Sequence, residues 1–340
     1  MDLADSQILE TVRQGGAVAS LAAERTGLTR VTISRRLVRL AAQGYVRKSG
    51  GGTRPRYGLG QRRWWQGLWP RAQLRGDMES AIWAAHVAPL LESAAPNVRN
   101  IAHTGFTEIL NNAIDHSQAR TVCACVHVDE AVLQMAIMDD GVGAFARIAR
   151  HLHLADRRLA VLELSKGKLT TAASGHSGIG IFVSSRFFDR FTLRSDGLVF
   201  THRGDFQFDW LDDASYRRGT VVLMEIALDS PRTAMSVYGR YFDPDQTGGG
   251  AFRLTEVPVR LASLGEELVS RSQGKWVTAR IDQFERVILD FSGIATVGQG
   301  FVDEVFRVFA NAHPEVRLIP ENMTPEVART VSMFAPRTVY

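Results

Sequence analysis

Residues 106–117 read FTEILNNAIDHS, and within this stretch Glu108, Asn112 and His116 recur at intervals of four residues. Side chains four residues apart on an α-helix lie on one face, so these three form a single stripe. A carboxylate and an amide one turn apart on such a stripe suit two tasks. The carbonyl oxygen of Asn112 suits a magnesium ion, and the carboxylate of Glu108 suits a general base that polarises water.

Three further short motifs follow this helix in order. The first, DDGVG at 139–143, ends a predicted strand; the last, Gly219-Thr220, opens another. Between them, GHSGIG at 175–180 precedes a predicted helix, and the free N–H groups at a helix N-terminus bind anions. The middle motif therefore predicts a phosphate cradle built from Gly175, His176, Ser177, Gly178 and Gly180.

The order of these four motifs resembles the ATP site of the GHKL superfamily, which includes gyrase, a heat-shock chaperone, histidine kinases and MutL. The resemblance covers about residues 77–228 and implies an α/β sandwich with a Bergerat-type ATP site. It implies that Glu108 is the general base, Asn112 the Mg²⁺ ligand, and Asp139 the acceptor of a hydrogen bond from the adenine amino group. Further ATP contacts are implied for Gly141, Gly143 and Thr220, and a lid over residues 144–174 for which Lys168 is the candidate phosphate contact.

Residues 141–146 also match GxGxxA, with Glu163 twenty residues after Gly143, and so imitate a dinucleotide-binding fingerprint. That fold requires its glycine turn in the first βαβ unit, followed by further units. Here a long helix with Glu and Asn comes first and a second glycine loop comes later. The sequence also has no GxxxxGK[ST] loop, so P-loop chemistry is not expected.

Positive charge is concentrated in the first 76 residues, which hold 14 Lys+Arg against 4 Asp+Glu, whereas the other 264 hold 26 against 32. This asymmetry predicts a nucleic-acid partner for the N-terminal segment. Three helices are expected there, and Ala23, Gly27 and Ile33 have the spacing of a helix-turn-helix. The third helix is predicted to bury Val31, Ile33, Leu37, Val38, Leu40 and Ala41.

Residues 45–59 then predict two strands joined by the loop 49–55, which is a wing. Over about the first 60 residues the chain resembles winged helix-turn-helix DNA-binding domains. Arginine and threonine suit base edges and phosphates in the major groove. A basic protein-interaction module is the alternative. The candidate DNA contacts are Arg30, Thr32, Arg35, Arg36, Arg39, Arg47, Lys48, Arg54 and Arg56.

After a linker with three consecutive glycines, strands and helices alternate, which argues a small α/β sheet. The stretch VILDFSGIATVGQGFVDEVFRVF at 287–309 resembles STAS-like domains that follow GHKL domains. One helix is expected at 263–273. The position that is phosphorylated in STAS domains of the anti-sigma-antagonist kind holds Gln299 or Gly300 here, and Ser292 and Thr296 are out of register. This departure favours constitutive docking or dimerisation over a phosphorylation switch. Asp303 and Glu304 are interpreted as surface charges.

Composition places few further limits on function. The sequence has no long apolar span and no apolar run at its acidic N-terminus, so a cytoplasmic protein is expected. The two cysteines, Cys123 and Cys125, share one face of a predicted strand. Two small buried residues in a reducing compartment are a better interpretation than metal or redox chemistry.

These predictions combine into a chain of three domains. The lead hypothesis is a transcriptional regulator whose DNA affinity is set by ATP and Mg²⁺, with slow ATP hydrolysis, a protein partner for the STAS-like domain, and a homodimer on family grounds. The alternatives are an anti-sigma-type protein serine/threonine kinase and a non-catalytic scaffold stabilised by ATP. The predicted boundaries are 1–62 for the winged helix, 63–76 for a Trp-rich junction, 77–230 for the GHKL domain, 231–250 for a linker and 251–340 for the STAS-like domain.

Overall fold

The computed structural model describes residues 1–50, 55–166, 180–204, 210–213, 218–241, 256–264, 267–279, 281–282 and 284–333. The chain separates into two compact units. Unit 1 is Met1–Gly141 with Val221–Pro231, and unit 2 is Val142–Thr220 with Arg232–Tyr340. Both mix helices with sheets, as predicted. Within the described ranges, none of the helices combines the length and the apolar character needed to cross a membrane.

Unit 1 begins with three helices and a hairpin. The helices are α1 (Leu3–Gln14), α2 (Val18–Thr26) and α3 (Arg30–Ala42). The hairpin pairs β1 (Val46–Ser49) with β2 (Arg56–Leu59) in antiparallel register. These elements follow the predicted order along the sequence.

A common apolar core holds the three helices together. On α3 the buried stripe is Ile33, Leu37 and Leu40, spaced by four and three residues. Val31 and Val38 were predicted on this face, and that prediction is wrong: they are 63% and 66% exposed. They lie seven residues apart on a separate stripe of the helix. The core consists of Ile8, Leu9, Val12, Val18, Ala22, Ile33, Leu37, Leu40 and Val46.

The Trp-rich stretch contributes a strand to the sheet of unit 1. Strand β3 (Arg63–Pro70) pairs antiparallel with β4 (Thr121–Val128), which pairs antiparallel with β5 (Val132–Asp139). Strand β9 (Thr220–Ala227), whose residues from Val221 onward belong to this unit, comes next in the order β3-β4-β5-β9. Alternate side chains of β4 and β5 are buried, and the helix α5 (Pro96–His116) packs on these two strands.

Short helical segments connect β3 to α5. A 3₁₀ turn at Arg71–Gln73 precedes α4 (Met78–Ile82). The chain then continues as a π-helical turn at Trp83–Val87 and a 3₁₀ turn at Ala88–Leu91. Residues 78–91 are therefore a succession of three kinds of helical turn.

The N-terminal helices are fastened to this sheet by polar and aromatic contacts. The backbone N–H of Gln66 in β3 donates to the Ser6 hydroxyl over 2.8 Å, and that hydroxyl lies 3.3 Å from the Gln66 carbonyl oxygen. The rings of Tyr45 and Trp64 lie against His127 of β4, with centroids 5.9 and 6.2 Å away. Trp64 also packs on the N-terminal core.

The first part of unit 2 consists of helices and a hairpin. After α6 (Ala144–His151) and α7 (Arg157–Lys166), the chain is described again from α8 (Gly180–Phe187). Strands β6 (Arg190–Ser195), β7 (Leu198–Arg203) and β8 (Trp210–Asp213) pair antiparallel in that order, and α9 (Ala234–Tyr241) follows.

The C-terminal part of unit 2 contains a parallel sheet. Strands β10 (Glu256–Arg260), β12 (Arg286–Asp290) and β14 (Arg317–Glu321) pair in parallel, and so do the short β11 (Glu267–Leu268) and β13 (Thr296–Val297). The connecting helical segments are a 3₁₀ turn at Leu261–Leu264, α10 (Arg271–Thr278), α11 (Gln299–Val302), a π-helical segment at Asp303–Phe309, α12 (Ala310–Ala312) and α13 (Pro325–Ser332).

The helix predicted at 263–273 was wrong in position. Helix α10 begins at Arg271 because Ser270 and Gln273 form a capping box, in which each side chain binds the other residue's backbone N–H. Within the segment predicted as helix, residues 263–264 belong instead to the 3₁₀ turn and residues 267–268 to β11.

Lys166, at the end of α7, joins that helix to the C-terminal part of unit 2. Its side chain is 2% exposed, and its ammonium donates to Glu163 over 2.6 Å. It also donates to the carbonyl oxygens of Trp276 and Ala279, over 3.0 and 2.8 Å, at the C-terminal end of α10. A cation is favoured at that end of a helix because the unpaired carbonyls carry partial negative charge.

We predict that Lys166→Met lowers the free energy of unfolding by about 3–5 kcal/mol, because the substitution removes the ammonium that binds the buried Glu163 carboxylate and two carbonyls at the end of α10. Urea denaturation followed by tryptophan fluorescence measures the change. Lys275→Met is the matched control, since Lys275 is an exposed lysine on α10. Equal stability of the two variants would show that the buried pair does not hold α7 in place.

Candidate functional site

Helix α5 carries the polar stripe that the sequence predicted. Glu108, Asn112 and His116 all lie within Pro96–His116, so their spacing places them on one line of the helix surface. Glu108 is exposed, and Asn112 and His116 are half-buried. The opposite stripe, which includes Phe106, Leu110 and other apolar residues, is buried.

Asp139 ends β5 on the side of the sheet that faces α5. It is 7% exposed and continues the buried alternation of Met135 and Ile137. Its carboxylate accepts the N–H of Gly141 over 2.9 Å. A buried carboxylate thus lies in the layer between β5 and the helix that carries Glu108 and Asn112.

The neighbouring Asp140 has a structural task. Its carboxylate accepts the backbone N–H groups of Thr121 and Arg120, over 2.9 and 2.8 Å. The hydrogen bond from Thr121, assisted by that from Arg120, holds the pKa of Asp140 below its ordinary value. Asp140 therefore ties the end of β5 to the start of β4.

The glycines of the DDGVG motif are both required by contacts with protein atoms. A Cβ at Gly141 would lie 2.0 Å from the carbonyl oxygen of Ser117, just beyond the C-terminus of α5. Gly143 has φ +86°, and a Cβ there would lie 2.4 Å from the carboxylate of Asp196. No other residue type fits either position without displacing its neighbour.

Asp196 belongs to the tight turn between β6 and β7. Asp196 and Gly197 have φ of 54° and 82°, as the central residues of a two-residue type I′ hairpin require. The Asp196 carboxylate accepts the N–H of Ala146 over 2.8 Å, in the first turn of α6. The hairpin turn thus caps the helix that follows Gly143.

Ser195 is a residue of this neighbourhood that the sequence did not indicate. Its hydroxyl accepts the N–H of Ala144 over 2.9 Å and donates to the carbonyl of Gly219 over 2.9 Å. It also lies 3.4 Å from the hydroxyl of Thr220. Ser195 thereby connects Ala144, the residue after the DDGVG motif, to the Gly219-Thr220 motif. The sequence signal available at this position was the Asp-Gly dipeptide after Ser195, which is typical of a tight hairpin turn.

An open cleft of about 360 Å³ lies beside this turn in unit 2. Two arginines and two aspartates line it, so it offers both signs of charge to a polar ligand. Its lining residues are Ala155, Asp156, Arg157, Arg158, Asp196, Gly197 and Leu198.

Most of the predicted phosphate cradle lies outside the described residues: Lys168, Gly175, His176, Ser177 and Gly178. Gly180, the remaining member, is the first residue of α8 and is half-buried.

The oxygen donors on α5 fit a magnesium nucleotide. Where the structure describes the chain, no group of three or more His, Cys, Asp or Glu side chains gathers to hold a metal. Mg²⁺ does not need such a group, because it retains several waters and takes other ligands from substrate phosphates. The amide oxygen of Asn112 is of the ligand type that such an ion would accept from the chain.

The residues predicted to bind DNA fall into two groups. Arg30, Arg35, Arg47, Lys48 and Arg56 have exposed side chains, and Thr32 is half-buried; Arg54 lies outside the described residues.

Arg36 and Arg39 form the second group and are bound within the protein. Arg36 lies 2.8 Å from both Asp2 and Asp5, and Arg39 lies 2.6 Å from Asp5. The hydrogen bond from Arg36 to Asp2, together with that to Asp5, raises the pKa of Arg36 above its ordinary value. These arginines join α3 to α1 and are partly neutralised.

In the C-terminal part, the loop after β12 is held by a buried carboxylate. Asp290 is 1% exposed and accepts the Ser292 hydroxyl over 2.7 Å and the Asn322 amide over 2.9 Å. Ser292 is thus committed to the loop structure. Gln299 opens α11.

The interpretation of Asp303 and Glu304 as surface charges was wrong. They are 7% and 8% exposed. Arg271 lies 2.7 Å from Asp303 and 3.8 Å from Glu304, and Arg307 also binds Asp303. These carboxylates fasten α10 to the π-helical segment that follows α11.

Comparison with known proteins identifies this C-terminal part. Residues 273–328 match the family model of a STAS-like domain of unknown function (DUF4325). The chain therefore carries a STAS-like domain, as its sequence predicted, with α10 at the start of the matched region. No curated protein matches the chain.

We predict that Gly141→Ala lowers the free energy of unfolding by about 1–3 kcal/mol, because the added methyl group meets the Ser117 carbonyl, which cannot move without distorting the end of α5. Thermal denaturation without nucleotide measures the effect. Gly58→Ala is the control, since a Cβ at Gly58 meets nothing within 4 Å. Unchanged stability in the first variant would mean that the close contact is not maintained in solution.

Proposed function

We propose that the chain is a nucleotide-controlled DNA-binding regulator that binds Mg-ATP through a GHKL-type site and hydrolyses it slowly. The observation that carries the proposal is the packing of α5 on β5. It brings the helix that carries the stripe of Glu108 and Asn112 onto the strand that ends in the buried carboxylate of Asp139. These residue types, in this order along the chain, are those that the resemblance to GHKL proteins assigns to ATP.

Each residue has a role that its chemistry supports. The buried Asp139 carboxylate suits an adenine amino group, because an acceptor shielded from water forms a stronger hydrogen bond. Asn112 offers an amide oxygen to Mg²⁺. Glu108 is exposed to solvent and suits the acceptance of a proton from an attacking water. Bound ATP would supply the phosphoanhydride bond that this water cleaves.

DNA binding is supported by the three helices and hairpin of the N-terminal segment, the arrangement of a winged helix. Arg30 and Arg35 of α3, and Arg47, Lys48 and Arg56 of the hairpin, are exposed cations that suit a phosphate backbone. The exposed valines Val31 and Val38 add apolar surface to α3, which suits contact with thymine methyl groups.

Control of DNA binding by nucleotide is supported by the construction of unit 1. Helix α5 packs on β4 and β5, and α1 packs on β3 of the same sheet, while α2 and α3 share an apolar core with α1. Nucleotide binding at α5 can therefore bias the position of α3 through the sheet of unit 1 rather than through a flexible linker.

For the nucleotide site, we expect Asn112→Ala to weaken Mg-ATP binding by at least ~10-fold through loss of the metal ligand. Asn111→Ala, one position off the stripe, is the matched control. Glu108→Gln should retain binding and lose phosphate release by ~100-fold or more. Calorimetry measures binding, and γ-labelled ATP measures turnover.

Three results would count against this assignment. Equal ATP affinity of the Asn112 and Asn111 variants would remove the proposed metal ligand. Undiminished turnover in Glu108→Gln would remove the general base. Label transferred to protein rather than to phosphate would favour the protein kinase hypothesis.

For the DNA site, we expect Arg35→Ala to weaken binding to a duplex and to reduce the slope of log affinity against log salt by about 1, because one phosphate contact is lost. Arg99→Ala, an exposed arginine of α5, is the control. Fluorescence anisotropy at several salt concentrations, with and without Mg-ATP, measures both effects. Identical affinities with and without nucleotide would remove nucleotide control, and wild-type affinity in Arg35→Ala would favour a protein-binding role for this segment.

A further inference from the structure

The two thiols of the chain meet on one face of the sheet in unit 1. The Sγ atoms of Cys123 and Cys125 in β4 lie 3.8 Å apart, and both side chains are half-buried. The amide of Gln66, on the neighbouring β3, lies 3.8 Å from the sulfur of Cys123. This face is the reverse of the one on which α5 packs, so the thiols are separate from the proposed nucleotide site.

A third sulfur belongs to the same face. Met138 of β5 is the direct cross-strand partner of Cys123. Side chains of directly opposed residues point to the same side of a sheet, with Cβ atoms about 4.5–5.5 Å apart. Met138 is half-buried, whereas Met135 of the same strand is 2% exposed and faces α5.

The separation of the thiols suits chelation better than a disulfide. Residues two apart on a strand have Cα atoms about 6.5 Å apart, close to the upper limit for a disulfide. A metal ion about 2.3 Å from each of two sulfurs separated by 3.8 Å subtends an S–metal–S angle of about 110°. That angle is ordinary for a thiolate chelate, so the pair needs no rearrangement of the strand to hold one ion.

We propose that Cys123, Cys125 and Met138 form a binding site for one copper(I) ion. Thiolate and thioether ligands select Cu(I), which accepts a low coordination number. Zn²⁺ prefers four ligands from Cys, His or carboxylate. Within the part of the chain that is described, no group of three such side chains gathers around these thiols. On binding, two Cu–thiolate bonds replace two S–H bonds and release two protons, the Met138 thioether donates a lone pair to a third Cu–S bond, the ligands that Cu(I) carried in solution leave, and no electron is transferred.

The test uses the full chain, reduced and kept under anaerobic conditions. Cu(I) is supplied as its acetonitrile complex and competed with a chromophoric Cu(I) chelator, while native mass spectrometry gives the stoichiometry. We expect one ion per chain and a loss of affinity of more than about 100-fold in Cys123→Ser and in Cys125→Ser. Met138→Leu should lose ~10-fold, and Met135→Leu should match the wild type, because Leu replaces Met with little change in packing.

Alkylation by iodoacetamide provides a measurement that needs no variant. Bound Cu(I) should protect both cysteines together, and the chain has no others. Wild-type affinity in either serine variant, or alkylation unaffected by Cu(I), would overturn the proposal. Zn²⁺ binding as tight as that of Cu(I), or equal behaviour of the two methionine variants, would overturn the assignment of copper and of the thioether ligand.

Discussion

Unit 2 depends on the hydrogen bonds by which the buried ammonium of Lys166 joins α7 to α10. An isolated cation at such depth would cost several kcal/mol, yet each of its three N–H groups has an acceptor, one carboxylate and two carbonyls. Those carbonyls belong to the end of α10, which opens the matched STAS-like region. Helix α7 belongs to the stretch after Gly143. The Lys166 ammonium therefore links that stretch to the STAS-like domain by hydrogen bonds. A ligand that displaces α7 must therefore displace α10 as well, or break the hydrogen bonds from Lys166 to the Trp276 and Ala279 carbonyls.

Unit 1 is fastened differently, by neutral contacts. The Ser6 hydroxyl accepts a backbone N–H of β3, and the rings of Tyr45 and Trp64 lie tilted against His127. Such contacts are individually modest, so their number and their burial determine how firmly the N-terminal helices are held. The Asp2 and Asp5 carboxylates also restrain Arg36 and Arg39, which lowers the positive potential of α3 near its middle. Affinity for an anionic partner then rests on the exposed cations at the start of α3 and on the hairpin.

Patterns of short range were predictable from the sequence, whereas long-range pairings were not. The i, i+4 stripe on α5 and the alternation of strands and helices after residue 255 follow from periodicity alone. Val31 and Val38 were misplaced because apolar character does not tell which stripe of an amphipathic helix meets the core. Asp303 and Glu304 were misplaced because their partner Arg271 is 32 residues from Asp303 along the chain. The Asp-Gly dipeptide after Ser195 indicated a hairpin turn but not the role of the hydroxyl, because its partners come from α6 and from Gly219.

The same distinction decides which residues carry information about a ligand. Gly141 and Gly143 would be required in this fold without any nucleotide, because the Ser117 carbonyl and the Asp196 carboxylate occupy the space of a Cβ. Their presence therefore supports the fold of the motif more than its ligand. Glu108 is exposed on the stripe of α5 opposite to the one that supplies the packing, so its carboxylate is accessible to a ligand. The case for nucleotide chemistry consequently rests on Glu108 and Asn112, and the glycines add to it only through their order along the chain.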